Sequence, residues 1–217
     1  MSEETYFSSM KYRFQPIPDD GRIETVPFLN ACGEILPFFD ILGSSVSGHV
    51  KSEINGNIKK LRKKFWKNPE KFKTLQAMVE HEIEKREATN KYYRPWISAT
   101  DSLLWLKRAL TFIRVLLEQV LSKEPDLSKC AKVAYERSLK KYHGWLWRKT
   151  FALDLKMAMT EVRCRREFLF ALAFRKDGSN GRVILEHMQQ ALDELAPNLD
   201  VLNSFYLEKG EDKEGKE

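Results

Sequence analysis

Residues 98–122 read SATDSLLWLKRALTFIRVLLEQVLS, and this stretch decides the fold. Leu103, Leu104, Leu106, Leu110, Ile113, Leu117 and Val120 leave only a thin polar stripe on a helix. The spacing therefore predicts a central helix, from about Ser98 to Ser122, buried on most of its circumference. The rest of the chain carries helical period too, with no convincing run of period two. Thr25-Val26-Pro27 begins a helix with a capping residue and a proline in its first turn, running towards Leu42. A second spans about Val50 to Phe65, and a third follows the cap and first-turn pair Asn68-Pro69, becoming very charged by EHEIEKRE. Beyond the central helix the pattern gives helices from about Leu127 to Lys141 and from His143 to Thr160. A shorter one lies in RREFLFALAF, and the last runs from Arg182 to Tyr206. KDGSNG, residues 176–181, is the clearest loop. There is no internal repeat and no linker between two cores. The expectation is one all-α domain over residues 21–207, after an N-terminal extension (1–20) and before a disordered charged tail, EKGEDKEGKE (208–217).

Composition bounds the function. At 42% hydrophobic residues the 217-residue chain has material for a full core. Most of the 8 prolines stand where helices would start or break. No apolar run is long enough to span a bilayer, and MSEETYFSSMKYRF lacks an apolar signal core, so a cytosolic protein is expected. Cys32, Cys130 and Cys164 have no metal-ligand spacing and read as reduced, mostly buried thiols. A net charge of +6 points to an anionic partner, nucleic acid or a phospholipid surface, or to a plain, slightly basic exterior. Enzyme motifs are missing: there is no phosphate-binding loop, no dinucleotide fingerprint and no nucleophile elbow. HEIEK at 81–85 lacks the second histidine of a zinc helix, and His49, His81, His143 and His187 have no metal-like spacing with the cysteines. No catalytic residue, metal or cofactor is therefore expected.

Two helices carry paired stripes. In SEINGNIKKLRKKF, Ile54, Ile58, Leu61 and Phe65 recur at helical spacing as a buried face. Glu53, Asn57, Lys60 and Lys64 recur beside it, placing an acceptor, an amide and two cations on one line. That line reads either as a solvated Glu–Lys ladder or as a polar site. Gly56 costs about 1 kcal/mol in mid-helix, which suggests close approach to the backbone. In the second case, YHGWLWRKTF (142–151), Leu139, His143, Trp147 and Phe151 follow at intervals of four on one inward face. Trp145 and Lys149 lie on the far side with Arg148 nearby, a group suited to a membrane interface. One tryptophan then faces the core and the other a bilayer.

Taken together, FQPIPDDGRIETVPFL, LPFFDILGS, EINGNIKK, NPEKFKTLQ, LLWLKRAL and AYERSLKKYHGW resemble the glycolipid transfer protein family, in its order and near its spacings, over roughly Phe14 to Tyr206. The resemblance implies a two-layer all-helical fold that takes one glycosphingolipid from a membrane, with the headgroup at a surface site and the ceramide in an apolar tunnel. It places the headgroup centre on Glu53, Asn57, Lys60, Trp105 and His143, with Trp105 under the first sugar. The tunnel falls on Phe38, Phe39, Phe112, Leu139 and Phe151, and membrane docking on Trp145, with Arg148 and Lys149 beside it. A monomeric carrier in transient contact with membranes, with no nucleic-acid partner, is what it implies.

The chain departs from the family pattern at three places. Glu53 stands where aspartate is usual, moving the carboxylate by about 1 Å or more. The C-terminus is charged where animal members end in a short apolar-aromatic tail, and TEVRCRRE (160–167) looks longer than its equivalent. The alternatives are a ceramide-1-phosphate carrier, for which Lys60, Lys64 and Arg108 would supply cations, a sphingolipid sensor that binds without transferring, and a helical nucleic-acid module using KKLRKK and RCRR.

Overall fold

Eight helices make up the computed structural model over its described residues, 4–42, 44–89, 98–144, 148, 164–173 and 181–212, with backbone only at 44–47 and 49. They are α1 (Thr25–Glu34), α2 (Phe38–Ile41), α3 (Ser44–Phe65), α4 (Leu75–Thr89), α5 (Ala99–Leu121), α6 (Leu127–Ser138), α7 (Arg165–Ala171) and α8 (Gly181–Glu208). Extended pairing among the described residues is confined to two isolated bridges, Thr5–Ala173 and Glu24–Thr74.

The central helix starts where the sequence places it. The Ser98 hydroxyl oxygen accepts the Asp101 N–H at 3.0 Å, and α5 then buries Leu103, Leu106, Leu110 and Leu116 completely. It packs against α3, α4, α6 and α8, while α1 and α2 lie on α3. A second device holds its N-terminus. Glu82 of α4, 4% exposed, accepts the N–H groups of Ala99 (2.9 Å) and Thr100 (3.0 Å), the hydroxyls of Ser98 and Thr100, and the Lys64 ammonium at 2.9 Å. Those donors satisfy helix-end amides and hold the carboxyl below the usual carboxylate range although burial opposes it.

Several boundaries differ from the sequence reading. The helix expected from Thr25 to Leu42 breaks at Ile35–Pro37, because Pro37 has no N–H to continue the ladder, and restarts as the short α2. Thr25 is not its cap. Glu24 holds that position without a side-chain bond, and the Thr25 hydroxyl donates to Phe72 O at 2.8 Å. The second helix begins earlier than Val50, at Ser44, and the helix from Leu127 ends at Ser138, before Lys141. His143 and Gly144 lie in the turn that follows, not in a helix starting at His143. Pro197 sits inside α8 rather than at a break. A Cβ added at Gly56 would meet no atom of the described residues within 4 Å, so packing within them does not account for that glycine. Cys32 and Cys130 are buried free thiols, and Cys164 is half-buried. The remainder of the helix drawn to Thr160, the loop residues 176–180 and the segment 160–163 lie outside the described residues.

Segments near both termini, residues 5–14 and 211–212, join the core. Tyr6, Phe7 and Phe14 are buried, Tyr6 N–H bonds Leu172 O at 2.9 Å, and Arg13 pairs with Glu194 at 2.7 Å, so residues 5–14 complete the domain. The tail expected to be disordered from 208 is placed as far as Asp212. Glu211 is buried against Arg86, and Asp212 reaches Arg108 at 3.1 Å and Lys107 at 3.6 Å. Two cations with 3% exposure need a carboxylate, and the tail supplies it.

Candidate functional site

Trp105 projects from α5 at a half-buried position, and the turn after α6 brings His143 onto it. The rings stack with centroids 5.9 Å apart and planes 27° apart. His143 N–H bonds Leu139 O at 3.2 Å, which fixes that turn, and its Nδ1 lies 3.3 Å from the Tyr135 hydroxyl. Arg108, one helical turn beyond Trp105, lays its guanidinium 5.0 Å from the indole centroid and 3.3 Å from the Tyr142 centroid. Arg148 braces the turn from the other side: its Nε–H donates to His143 O at 2.8 Å and to Lys140 O at 3.0 Å. Burial first, then the charges of Arg148 and Arg108, hold the imidazole below its ordinary pKa, so it is neutral at neutral pH. The centre is thus an indole–imidazole platform with cations fixed at its margin.

Behind the platform, Lys107 donates to Asn203 Oδ1 at 2.8 Å and lies 5.3 Å above the Tyr206 ring. Desolvation lowers its pKa, with Asp212 opposing that effect. Asp212 holds Lys107 and Arg108 together, and Arg108 links the carboxylate to the platform.

The α3 line is assembled as the spacing predicts. Ile54, Ile58 and Leu61 are buried, Asn57 beside them is half-buried, and Glu53 and Lys60 are exposed. Lys64, one of the cations considered for a phosphate, is committed to Glu82 and so belongs to the scaffold. Arg108 is likewise engaged, with Asp212.

Of the tunnel candidates, Phe38, Phe39, Phe112 and Leu139 are buried. Phe112 lies two turns along α5 from Trp105, so the helix leads from the platform into the apolar interior. Phe38 lines an apolar cavity of about 20 Å³ with Tyr6, Phe7, Met10, Ile113 and Leu117, while Arg13 and Glu194 stand at its edge. Phe39, Phe112 and Leu139 pack in the core outside that cavity. Trp145, Trp147, Lys149 and Phe151 lie outside the described residues; Arg148 is exposed. Among the described residues no group of three His, Cys, Asp or Glu side chains is placed to hold a metal, and no helix is long and apolar enough to cross a membrane.

The sequence reading named Arg108 as a cation for a phosphate and Arg148 as a docking residue, but neither as a brace of the platform. Arg108 stands three residues after Trp105, a spacing that does report contact on a helix. Tyr135, Tyr142 and Asp212 gave no such signal, because their approach depends on a turn and on the chain end.

Trp105 and His143 thus form an aromatic platform beside an all-helical, strongly apolar interior, and the comparisons say which class of helical protein this is. The family described as Glycolipid transfer protein (GLTP) matches residues 23–173, and the chain belongs to that family. It is 36% identical over 213 residues to the glycolipid transfer protein of Danio rerio, covering 95% of this chain and 98% of that one. It is 35% identical to the pleckstrin homology domain-containing family A member 8 of Rattus norvegicus, covering 93% of this chain but spanning only 38% of that relative's length. Among solved structures it resembles FAPP2, described as selecting simple glycosphingolipids with the GLTP fold, at a TM-score of 0.85, with 32% identity over 99% of this chain and 100% of that one.

Proposed function

We propose that this chain is a carrier that extracts a glycosphingolipid from one membrane and delivers it to another, breaking no bond in the process. The observation that carries the reading is the Trp105–His143 stack, two helical turns from buried Phe112. An indole offers the C–H face of a hexose a flat apolar platform, and it offers a phosphate only one N–H. Asn57 and Lys60 supply hydroxyl partners from α3, Glu53 supplies an acceptor, and His143 meets the ceramide amide. Selectivity lies at this polar end, where a wrong headgroup covers these donors without pairing them. Each ceramide methylene costs about 0.8 kcal/mol in water, so the chains need an interior comparable to a bilayer. Phe38, Phe39, Phe112, Leu139 and Phe151 supply the side chains for it, and the small cavity beside Phe38 is the apolar space already open. The carrier works as a monomer in the cytoplasm and touches membranes transiently, through Trp145 with Arg148 and Lys149.

A fluorescent-lipid transfer assay comparing a monohexosylceramide with ceramide-1-phosphate at one salt concentration tests this. The parent should move the sugar lipid faster, and Trp105→Ala should lose that preference. Equal rates for both lipids in the parent would overturn the sugar-platform reading. Trp145→Ala should weaken vesicle binding without lowering thermal stability.

A further inference from the structure

We propose that the C-terminal end of α3 is a membrane-docking surface for anionic phospholipid headgroups, with Trp66 as its interfacial anchor. The proposal rests on the carrier reading only in that a carrier must meet a bilayer. Trp66 is 72% exposed, the most exposed large hydrophobic side chain among the described residues. Phe65 beside it packs against the core and meets the Trp66 ring edge-on at 5.2 Å. A solvent-facing indole suits the headgroup layer, where its apolar body and N–H are both satisfied.

Charge selects the partner. Residues 59–73, KKLRKKFWKNPEKFK, hold eight cations and one acid, a net +7. The whole chain carries +6, so everything outside these fifteen residues sums to 6 − 7 = −1, and the basic excess is localised here. Lys64 is tied to Glu82, Arg62 to Asn30, and Lys73 lies 3.9 Å from Glu24. Lys59, Lys63, Lys67 and Lys71 are exposed, with no carboxylate paired to them among the described residues. Lys59, Lys63 and Trp66 follow at steps of four and three, so they share one side of the helix end. Cations gathered around a projecting tryptophan fit a charged plane with an apolar layer beneath it. A nucleic-acid backbone would use the lysines but leave the indole without a role. Lys60, on the headgroup line, lies roughly 9 Å along the axis from Trp66, so docking here keeps that end of α3 near the bilayer surface.

The test is co-sedimentation of the full chain with phosphatidylcholine vesicles, with and without phosphatidylserine and lacking glycolipid. Trp66→Ala should bind the anionic vesicles about tenfold more weakly than the parent. Lys59→Glu/Lys63→Glu should lose at least about fivefold per lysine and become indifferent to phosphatidylserine. All three side chains are exposed, so melting temperatures should match the parent's, which separates docking from folding. Binding of a short-chain glucosylceramide in solution, without vesicles, should be unchanged in Trp66→Ala. A parent that binds anionic vesicles but no glucosylceramide would remove the carrier reading and leave this surface standing. Equal affinity of parent and Trp66→Ala for anionic vesicles would overturn the surface. So would a Lys59→Glu/Lys63→Glu effect confined to duplex DNA retention.

Discussion

His143 is the residue at which geometry and titration meet. Stacked on Trp105 and placed near two arginines, it is held below the ordinary histidine value of about 6.5 by burial first and by those charges second. The folded chain therefore binds this proton less readily than the unfolded chain does. Its contribution to stability is complete above about pH 6.5 and is lost as pH falls from there towards the lowered folded value. Urea unfolding at pH 7.5 and 5.5 should show the parent losing stability at the lower pH, and His143→Gln losing less. An equal loss in both would place the imidazole outside this linkage. His81, whose pKa burial also lowers, remains in both proteins and supplies the residual slope.

At the scale of elements, the joint between α3, α4 and α5 is one carboxylate. Glu82 takes backbone and hydroxyl donors from the start of α5 and the ammonium from the end of α3, tying three helices at a buried point. Glu82→Gln leaves Lys64 without a countercharge and replaces an acceptor oxygen with a donor facing N–H groups. A loss of about 3–5 kcal/mol in chemical denaturation is expected. Lys64→Met should cost less, about 1–2 kcal/mol, because Glu82 keeps its other donors. Similar losses for the two variants would mean that the ion pair, rather than the helix-end capture, holds the joint. The joint also fixes α3 one turn beyond Lys60, on the stripe that carries Asn57.

For the molecule as a whole, the chain ends act as closures. The N-terminal aromatics Tyr6, Phe7 and Phe14 fill the space between α1, α5 and α8. The C-terminal Glu211 and Asp212 neutralise Arg86, Lys107 and Arg108. Truncation after Gly210 should therefore lower stability by about 3–5 kcal/mol, since two buried cations would lose their carboxylate. Asp212→Asn should account for most of that. Denaturant midpoints of the three proteins check this, and a full-length midpoint for the Gly210 truncation would show the tail to be idle.

The sequence by itself determined the helices and the side chains that share a face. The leucines of residues 98–122 made a buried central helix, and Ile54, Ile58 and Leu61 made an inward stripe that left Asn57 and Lys60 beside it. Trp105 and Phe112 were bound to lie on one side of one helix. These follow from a period of 3.6 residues and from the removal of apolar surface from water, both local to a segment. Only the tertiary structure decided how segments far apart in the chain meet. It put His143 on Trp105 through a turn where the pattern expected a new helix to begin. It diverted Lys64 from the polar stripe of α3 to Glu82, and it folded a charged tail onto Lys107 and Arg108. Each of these depends on a buried charge or ring finding its partner across the fold. Such pairing is set by the three-dimensional path of the backbone and leaves no periodic trace in the residues that take part.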